Sequence, residues 1–126
     1  MRMLYVEDNR INALLFEEIV QLRSGIELRV AEDGREALGI ATEWPPDVLV
    51  LDAHLPDVNG VDLLATLRTL PGLAGVPAFM CSADSRPADL QRADDAGFCG
   101  YWPKPIAIAG VLADLDALSE DSPRSV

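Results

Sequence analysis

The sequence predicts an α/β fold with a parallel sheet, because short apolar runs alternate with segments of helical periodicity five times along 126 residues. Residues 48–51 are apolar at every position, which is typical of a central strand covered on both faces. The length corresponds to one domain, and we find no internal repeat. We therefore predict one domain over residues 1–118 and a flexible tail over residues 119–126.

Five short apolar segments are the predicted strands. They cover residues 3–6, 27–31, 47–51, 78–81 and 98–101. Four of them lead into polar residues that a strand interior would not carry: Glu7 and Asp8 after the first, Asp52 after the third, Ser82 after the fourth and Lys104 after the fifth. These polar residues therefore mark the carboxyl ends of the strands.

Helical periodicity fills the segments between and after the strands. The predicted helices cover residues 9–23, 33–44, 61–70, 87–96 and 108–118. Gly25, Pro45 and Pro71 follow the first three helices and end them. Apolar stripes predict one face in two helices: Ile11, Leu15, Ile19 and Leu22 in the first, and Ile108, Val111, Leu112, Leu115 and Leu118 in the fifth. The fourth helix is weakly patterned, with Leu90 as its main apolar anchor.

The charge balance is strongly acidic, since 21 Asp and Glu against 10 Lys and Arg give a formal net charge of −11. Nucleic-acid phosphates select Lys and Arg, so we expect no direct nucleic-acid binding. No apolar stretch approaches the ~18 residues of a membrane helix and charges interrupt the amino terminus, so the expected location is the cytoplasm. Cys81 and Cys99 lie in apolar contexts and are expected to be buried thiols.

The polar residues at the strand ends form the candidate site. In a parallel α/β sheet, ligands bind outside the carboxyl ends of the strands. Glu7, Asp8, Asp52, Ser82 and Lys104 should therefore meet in one crevice although they are far apart in the chain. Clustered carboxylates repel one another unless a cation joins them, and oxygen ligands suit Mg²⁺ or Mn²⁺.

These residue types form a complete set for phosphoryl transfer to a carboxylate. Asp52 beside a metal ion is an ionised nucleophile that can form an aspartyl phosphate without a general base. The metal and Lys104 would supply positive charge to the transferred oxygens, and Ser82 would donate its hydroxyl. Taken singly, each residue has a plainer explanation, such as helix capping for Glu7 and Asp8, but their shared sheet edge favours the functional one.

Four segments resemble the receiver domain of two-component response regulators, and the resemblance extends over residues 3–118. They are residues 5–9 (Tyr-Val-Glu-Asp-Asn), 51–60 (Leu-Asp-Ala-His-Leu-Pro-Asp-Val-Asn-Gly), 81–83 (Cys-Ser-Ala) and 97–106, which include Lys104-Pro105. The 51–60 motif with Lys-Pro at the right distance is highly specific. The Glu-Asp-Asn start and the Gly-Phe ahead of Lys-Pro further resemble receivers attached to hybrid histidine kinases.

The resemblance implies a fold and a metal site. The fold is a flavodoxin-like, doubly wound sheet of five parallel strands in the order 2-1-3-4-5, with five helices. Asp52 would be the phosphoacceptor and a ligand of Mg²⁺, which Mn²⁺ can replace. Asp8 would bind the metal directly and Glu7 mostly through water. The backbone carbonyl of His54 would complete the protein ligands.

The resemblance also implies how the phosphoryl group is held and sensed. Ser82 and Lys104 would contact the phosphoryl oxygens, and the Lys104–Pro105 bond would be cis. Tyr101 would be an aromatic switch that turns inward when Ser82 is drawn toward the phosphate. Pro103 removes a backbone donor just before the lysine, which predicts local stiffness at the edge of the fifth strand.

Two residues occupy positions that tune the lifetime of the phosphoryl group in this family. They are His54 and Asp84. Alone, His54 is a loop side chain at the rim of the site, since a hard-cation site prefers oxygen ligands to an imidazole. We hypothesise that the imidazole of His54 and the carboxylate of Asp84 meet over the site and restrict or orient water there.

The implied function is a phosphorylation-controlled signalling module that catalyses only its own phosphorylation and dephosphorylation. A sensor histidine kinase or a histidine phosphotransfer protein would donate the phosphoryl group. The face formed by helix 4, strand 5 and helix 5 would then signal to a partner or a linked domain. The domain would act as a monomer or as a phosphorylation-dependent homodimer.

Three other functions compete with this interpretation. A pseudo-receiver would bind a partner without ever accepting phosphate. A phosphatase of the haloacid dehalogenase type would carry a second Asp two residues after the nucleophile, where this chain has His54, and a cap domain. A flavodoxin would carry a Ser/Thr- and Gly-rich phosphate loop after the first strand, where Asp8 would repel the flavin phosphate.

Overall fold

The computed structural model describes residues 1–83 and 86–120, in which strands and helices alternate strictly. The strands are β1 (Arg2–Val6), β2 (Glu27–Ala31), β3 (Val48–Asp52), β4 (Ala78–Ser82) and β5 (Gly100–Pro103). The helices are α1 (Arg10–Val20), α2 (Gly34–Glu43), α3 (Gly60–Leu67), α4 (Pro87–Asp95) and α5 (Ile108–Glu120). All neighbouring strands are parallel and their order is β2-β1-β3-β4-β5, so the predicted fold is confirmed.

Helices cover both faces of the sheet. Successive side chains of a strand point to opposite faces, so each strand contributes to two apolar clusters, one on each face. Leu4 and Val6 of β1 face α2, α3 and α4, and they belong to one apolar cluster. Met3 and Tyr5 belong to a second cluster with α1 and α5 on the opposite face. Every residue of β3 is buried, as predicted for the central strand.

Asparagine or aspartate caps three helices directly after a strand or loop. The side-chain oxygens of Asn9, Asp33 and Asn59 accept backbone N–H groups of the first turns of α1, α2 and α3. Asn9 therefore caps α1, which leaves the carboxylates of Glu7 and Asp8 available for the site.

The predicted apolar face of α1 is wrong. Ile19 is buried, but Ile11, Leu15 and Leu22 are 77%, 40% and 59% exposed. The inward face is formed instead by Ala13, Phe16, Ile19 and Val20. The physical reason is the burial of the Phe16 ring, which lies 4.3 Å, between centroids, from the ring of Tyr5 and turns this face of α1 toward the sheet.

The packing of α4 and the start of β5 also differ from prediction. Ala93 is the buried residue of α4, whereas Leu90 is 40% exposed. The strand β5 begins two residues later than predicted, because Phe98 turns into the core beside Ala93. Cys99 is exposed rather than buried, while Cys81 is buried.

The carboxyl-terminal part of the chain follows the prediction closely. Val111 and Leu115 of α5 are buried, whereas Ile108 is half exposed. The helix α5 continues to Glu120, beyond the predicted end at residue 118. Residues 121–126 lie outside the described residues, so the predicted tail stays a prediction. Within the described residues, none of the helices has the length and apolarity needed to cross a membrane.

Candidate functional site

The carboxyl ends of the strands bring an ammonium group and two carboxylates into contact. Glu7 follows β1 directly, Asp52 is the last residue of β3, and Lys104 follows β5. Lys104 Nζ lies 2.7 Å from Glu7 Oε1 and 3.0 Å from Asp52 Oδ2. Both carboxylate residues are buried, so the contact expected from the sequence is present in a shielded environment.

Three carboxylates form a cluster at the same edge. Oxygen atoms of Glu7, Asp8 and Asp52 all lie within 4.8 Å of one another. Asp8 is exposed, while the other two residues are buried, so the cluster opens to solvent on the side of Asp8. A set of carboxylate oxygens with one exposed member suits a hard divalent cation.

The charge on Lys104 is stabilised by its two partners. Burial by itself would lower the pKa of this lysine, because it disfavours the charged form. Hydrogen bonds and charge interactions with Glu7 and Asp52 outweigh burial, and the pKa of Lys104 is raised. The ammonium group therefore stays charged throughout the physiological range and offsets the two carboxylates.

Tyr5 is a member of the site that the sequence analysis missed. Its hydroxyl donates to Glu7 Oε1 over 3.0 Å. Burial, with added repulsion from Cys81 and Glu7, raises the pKa of Tyr5, so the phenol stays neutral and remains a donor. A signal was present, since Tyr5 lies two residues before Glu7 in an otherwise apolar strand and therefore points to the same side.

The loop after β3 is folded against the phosphoacceptor candidate. The backbone N–H of His54 donates to Asp52 Oδ1 over 3.1 Å. Gly60 N donates to Ala53 O over 2.9 Å. A Cβ on Gly60 would lie only 2.6 Å from the backbone oxygen of Asp52, so this close approach requires glycine.

Asp57 ties the same loop to α2. Its carboxylate accepts the backbone N–H of Gly34 over 2.9 Å and that of Arg35 over 3.1 Å. The bond from Gly34 is the largest cause of the lowered pKa of Asp57, and together with the bond from Arg35 it outweighs the opposing effect of desolvation. The sequence analysis did not single out Asp57, because its partners are backbone groups of a helix start that only the fold brings near.

Ser82 and Tyr101 line a cavity of about 460 Å³ between α3 and α4. Its lining includes His54, Ser82, Met80, Arg92 and Tyr101. Among the described residues, the hydroxyl oxygen of Tyr101 is buried without a hydrogen-bond partner. Asp84 lies outside the described residues, so its proposed meeting with His54 stays a prediction.

The backbone around Lys104 also agrees with expectation. The Lys104–Pro105 peptide bond is cis, and Lys104 N donates to Ser82 O over 2.8 Å. Pro103 is the last residue of the edge strand β5, a position where a missing backbone donor is tolerated.

Comparisons with known proteins agree with this geometry. The response regulator receiver domain model matches residues 3–116. The polar-differentiation response regulator DivK of Brucella anthropi is 32% identical over 117 residues, which cover 93% of this chain and 94% of DivK.

Two solved structures extend the comparison. The chemotaxis protein CheY4 of Vibrio cholerae has a TM-score of 0.84 at 26% identity, covering 92% of this chain and 96% of CheY4. The receiver domain of the sensor histidine kinase PA1611 from Pseudomonas aeruginosa has a TM-score of 0.81 at 25% identity, covering 92% of this chain and 94% of that domain. That structure holds a magnesium ion coordinated in its active site cleft.

The family model spans most of the domain, and the relative and structures each cover more than nine-tenths of the chain. The narrower resemblance to receivers of hybrid histidine kinases stays a prediction. The chain belongs to the receiver domain family of two-component response regulators.

Proposed function

We propose that this receiver takes part in a phosphorelay, accepting a phosphoryl group on Asp52 from a phosphohistidine donor in a Mg²⁺-dependent reaction. The observation that carries the proposal is the contact of the Lys104 ammonium group with Asp52 inside the three-carboxylate cluster. Asp52 lies at the carboxyl edge of the sheet and has a fixed counter-charge in Lys104. These are the features that a carboxylate nucleophile needs.

The reaction is an in-line displacement at phosphorus. A carboxylate oxygen of Asp52 forms the new P–O bond while the P–N bond to the donor histidine breaks, and the electron pair leaves with the donor imidazole. Lys104 would neutralise the oxygens of the transferred group, and Ser82 would donate its hydroxyl to one of them.

A divalent cation fits the donor set. Glu7, Asp8 and Asp52 would hold Mg²⁺, or Mn²⁺ in its place, together with the backbone carbonyl of His54. When bound, the metal supplies positive charge to the phosphoryl oxygens. Lys104 supplies charge from within the cluster, where it already contacts two of these carboxylates.

The exposed face of α1 supports a protein donor. A phosphohistidine can reach Asp52 only over the carboxyl edge of the sheet, where α1 begins at Arg10. Ile11, Leu14 and Leu15 are exposed on the first turns of this helix. An apolar surface beside a reactive group suits docking of a sensor histidine kinase or a histidine phosphotransfer protein.

The output signal is proposed to pass from the site through Ser82 and Tyr101. Phosphorylation would draw Ser82 toward the new phosphoryl oxygens and move Tyr101, which lines the same cavity. This movement would alter the face formed by α4, β5 and α5, which then signals to a partner, to a linked domain or to a second copy of the chain. His54 and Asp84 are proposed to set the lifetime of the phosphorylated state.

The test is detection of an aspartyl phosphate by intact-mass spectrometry after incubation with acetyl phosphate and Mg²⁺. We expect a phosphoryl adduct on the wild type, none on Asp52→Asn, and none when a chelator removes the metal. Absence of an adduct from both acetyl phosphate and a phosphohistidine donor would favour the alternative, a pseudo-receiver that binds partners without accepting phosphate.

A further inference from the structure

Tyr5 reaches the site from the core of the domain. It lies in β1 between Val30 of β2 and Val50 of β3, and it is fully buried with its ring against Phe16 of α1. A phenylalanine would satisfy these packing contacts. The hydroxyl has its own partner, because it donates to Glu7 Oε1 over 3.0 Å.

The same oxygen of Glu7 is shared with Lys104. Lys104 Nζ is 2.7 Å from Glu7 Oε1 and 3.0 Å from Asp52 Oδ2, so one ammonium group bridges two buried carboxylates. The other oxygen of Glu7 accepts the backbone N–H of Asn9 over 3.3 Å. Donors that share one acceptor oxygen compete for its charge, so the Tyr5 hydroxyl weakens the hold of Glu7 on Lys104.

We propose that Tyr5 is a positioning residue for phosphoryl transfer: by taking part of the Glu7 charge, its hydroxyl keeps the Lys104 ammonium group shared with Asp52. Without this hydroxyl, Glu7 draws Lys104 away from the place where the phosphoryl oxygens need its charge. Tyr5 acts through Glu7 rather than on the phosphoryl group. The inference rests on the proposed function, since it concerns the reactivity of Asp52.

The first test is Tyr5→Phe, which removes the hydroxyl and keeps the ring. At saturating Mg²⁺, we expect phosphorylation by acetyl phosphate to slow about tenfold, the factor that corresponds to a weakened charge-assisted hydrogen bond. The matched control is Phe16→Leu, which alters the packing of the same ring but keeps the hydroxyl, and its rate should stay within about twofold of the wild type. A Tyr5→Phe rate equal to the wild-type rate overturns the proposal.

A double-mutant cycle then separates positioning from packing. If Tyr5 acts through Glu7, adding Tyr5→Phe to a Glu7→Gln variant should change the phosphorylation rate no further. Losses that multiply in the double variant would mean that the hydroxyl acts elsewhere, and they would overturn the proposal.

Lys104 offers a readout that needs neither metal nor phosphate, because it is the only lysine in the sequence. Protein labelled with ¹⁵N-lysine gives a single side-chain ammonium signal by NMR. In metal-free protein, Tyr5→Phe should shift this signal and Phe16→Leu should leave it in place; an unshifted signal in Tyr5→Phe overturns the proposal. If the wild type accepts no phosphoryl group, the proposed function is contradicted. The ammonium signal of Lys104 still tests, independently of phosphorylation, whether the Tyr5 hydroxyl positions that group.

Discussion

At the scale of single residues, Lys104 is the counter-charge on which the site depends. It bridges Glu7 and Asp52, both of which are buried and would repel each other without it. Its raised pKa means that its stabilising effect is fully present below the unfolded-state pKa, near 10.5, and is lost as the pH rises through the higher folded-state value.

Replacing Lys104 should therefore destabilise the metal-free protein. We expect Lys104→Met to lower the free energy of unfolding by about 1–3 kcal/mol at neutral pH, because two buried carboxylates lose their cation. Mg²⁺ should restore more stability to this variant than to the wild type, since it neutralises the same carboxylates. Urea unfolding with and without Mg²⁺ measures both effects.

The control for this prediction is the pH dependence of the stability difference. The difference between Lys104→Met and the wild type should shrink as the pH rises above about 10.5, because the lysine of the unfolded state loses its proton there, whereas the folded state keeps its proton to a higher pH. A difference that does not change with pH would mean that the lysine stabilises the fold through its alkyl chain rather than through its charge.

The cluster of Glu7, Asp8, Asp52 and Lys104 could be predicted from sequence because strand ends are strong signals. Apolar runs that stop at Glu7, Asp52 and Ser82 fix which edge of the sheet carries the chemistry, whatever the details of packing. The role of Tyr5 could not be read in the same way. The spacing of Tyr5 and Glu7 places both side chains on the same side of the strand, but packing explains an aromatic residue inside a strand equally well. The hydrogen bond of its hydroxyl to Glu7 is seen only in the fold.

At the scale of secondary-structure elements, the loop between β3 and α3 is held against β3 and against α2. Gly60, at the end of the loop, lies against the backbone of Asp52, and Asp57, in the middle of the loop, accepts two backbone N–H groups at the start of α2. The loop therefore couples the position of Asp52 to two helices, and small changes in its backbone should reach the site.

A methyl group at Gly60 tests this coupling. Gly60→Ala would place Cβ 2.6 Å from the backbone oxygen of Asp52, so the loop or β3 must shift. We expect the free energy of unfolding to fall by about 1–3 kcal/mol and phosphorylation by acetyl phosphate to slow. Thermal unfolding and intact-mass kinetics provide the two measurements.

Gly39→Ala is the matched control for that change. Gly39 is exposed within α2, and a Cβ there would meet nothing within 4 Å. Alanine should stabilise the helix by about 0.5–1 kcal/mol and leave phosphorylation unchanged. If Gly60→Ala behaves like Gly39→Ala, the close approach to Asp52 carries no functional constraint.

The elements themselves were easier to predict than their faces. All five strands and helices were found, because breakers and apolar runs are local signals. In α1, however, two stripes compete, one through Ile11 and Leu15 and one through Phe16 and Val20, and both have helical spacing. Tertiary packing against Tyr5 selects the second stripe, and no local signal encodes that choice.

At the scale of the whole molecule, the stripe of α1 that does not pack inward, through Ile11 and Leu15, forms an apolar surface beside the carboxyl edge of the sheet. Ile11 and Leu15 are one helical turn apart and exposed near the start of the helix, whereas Leu22 is exposed beyond its far end. Since a small-molecule donor needs no docking surface and a protein donor does, this surface should matter only for the second.

Polar substitutions on α1 should separate the two donors. We expect Ile11→Ser combined with Leu15→Ser to slow transfer from a phosphohistidine protein at least about tenfold, because the contact loses buried apolar area. Phosphorylation by acetyl phosphate should stay at the wild-type rate. Leu22→Ser, at the far end of the helix, is the control and should change neither rate. Equal slowing with both donors would show damage to the site instead.

The two tryptophans of the chain report on different ends of the molecule. Trp44 lies near the guanidinium groups of Arg2 and Arg29, at the amino end of β1 and away from Asp52. Trp102 is stacked on Phe79 and donates its indole N–H to Asp114 of α5. Any change in intrinsic fluorescence on addition of metal or phosphodonor should therefore arise from Trp102, so the domain carries its own optical reporter two residues from Lys104, which contacts Asp52.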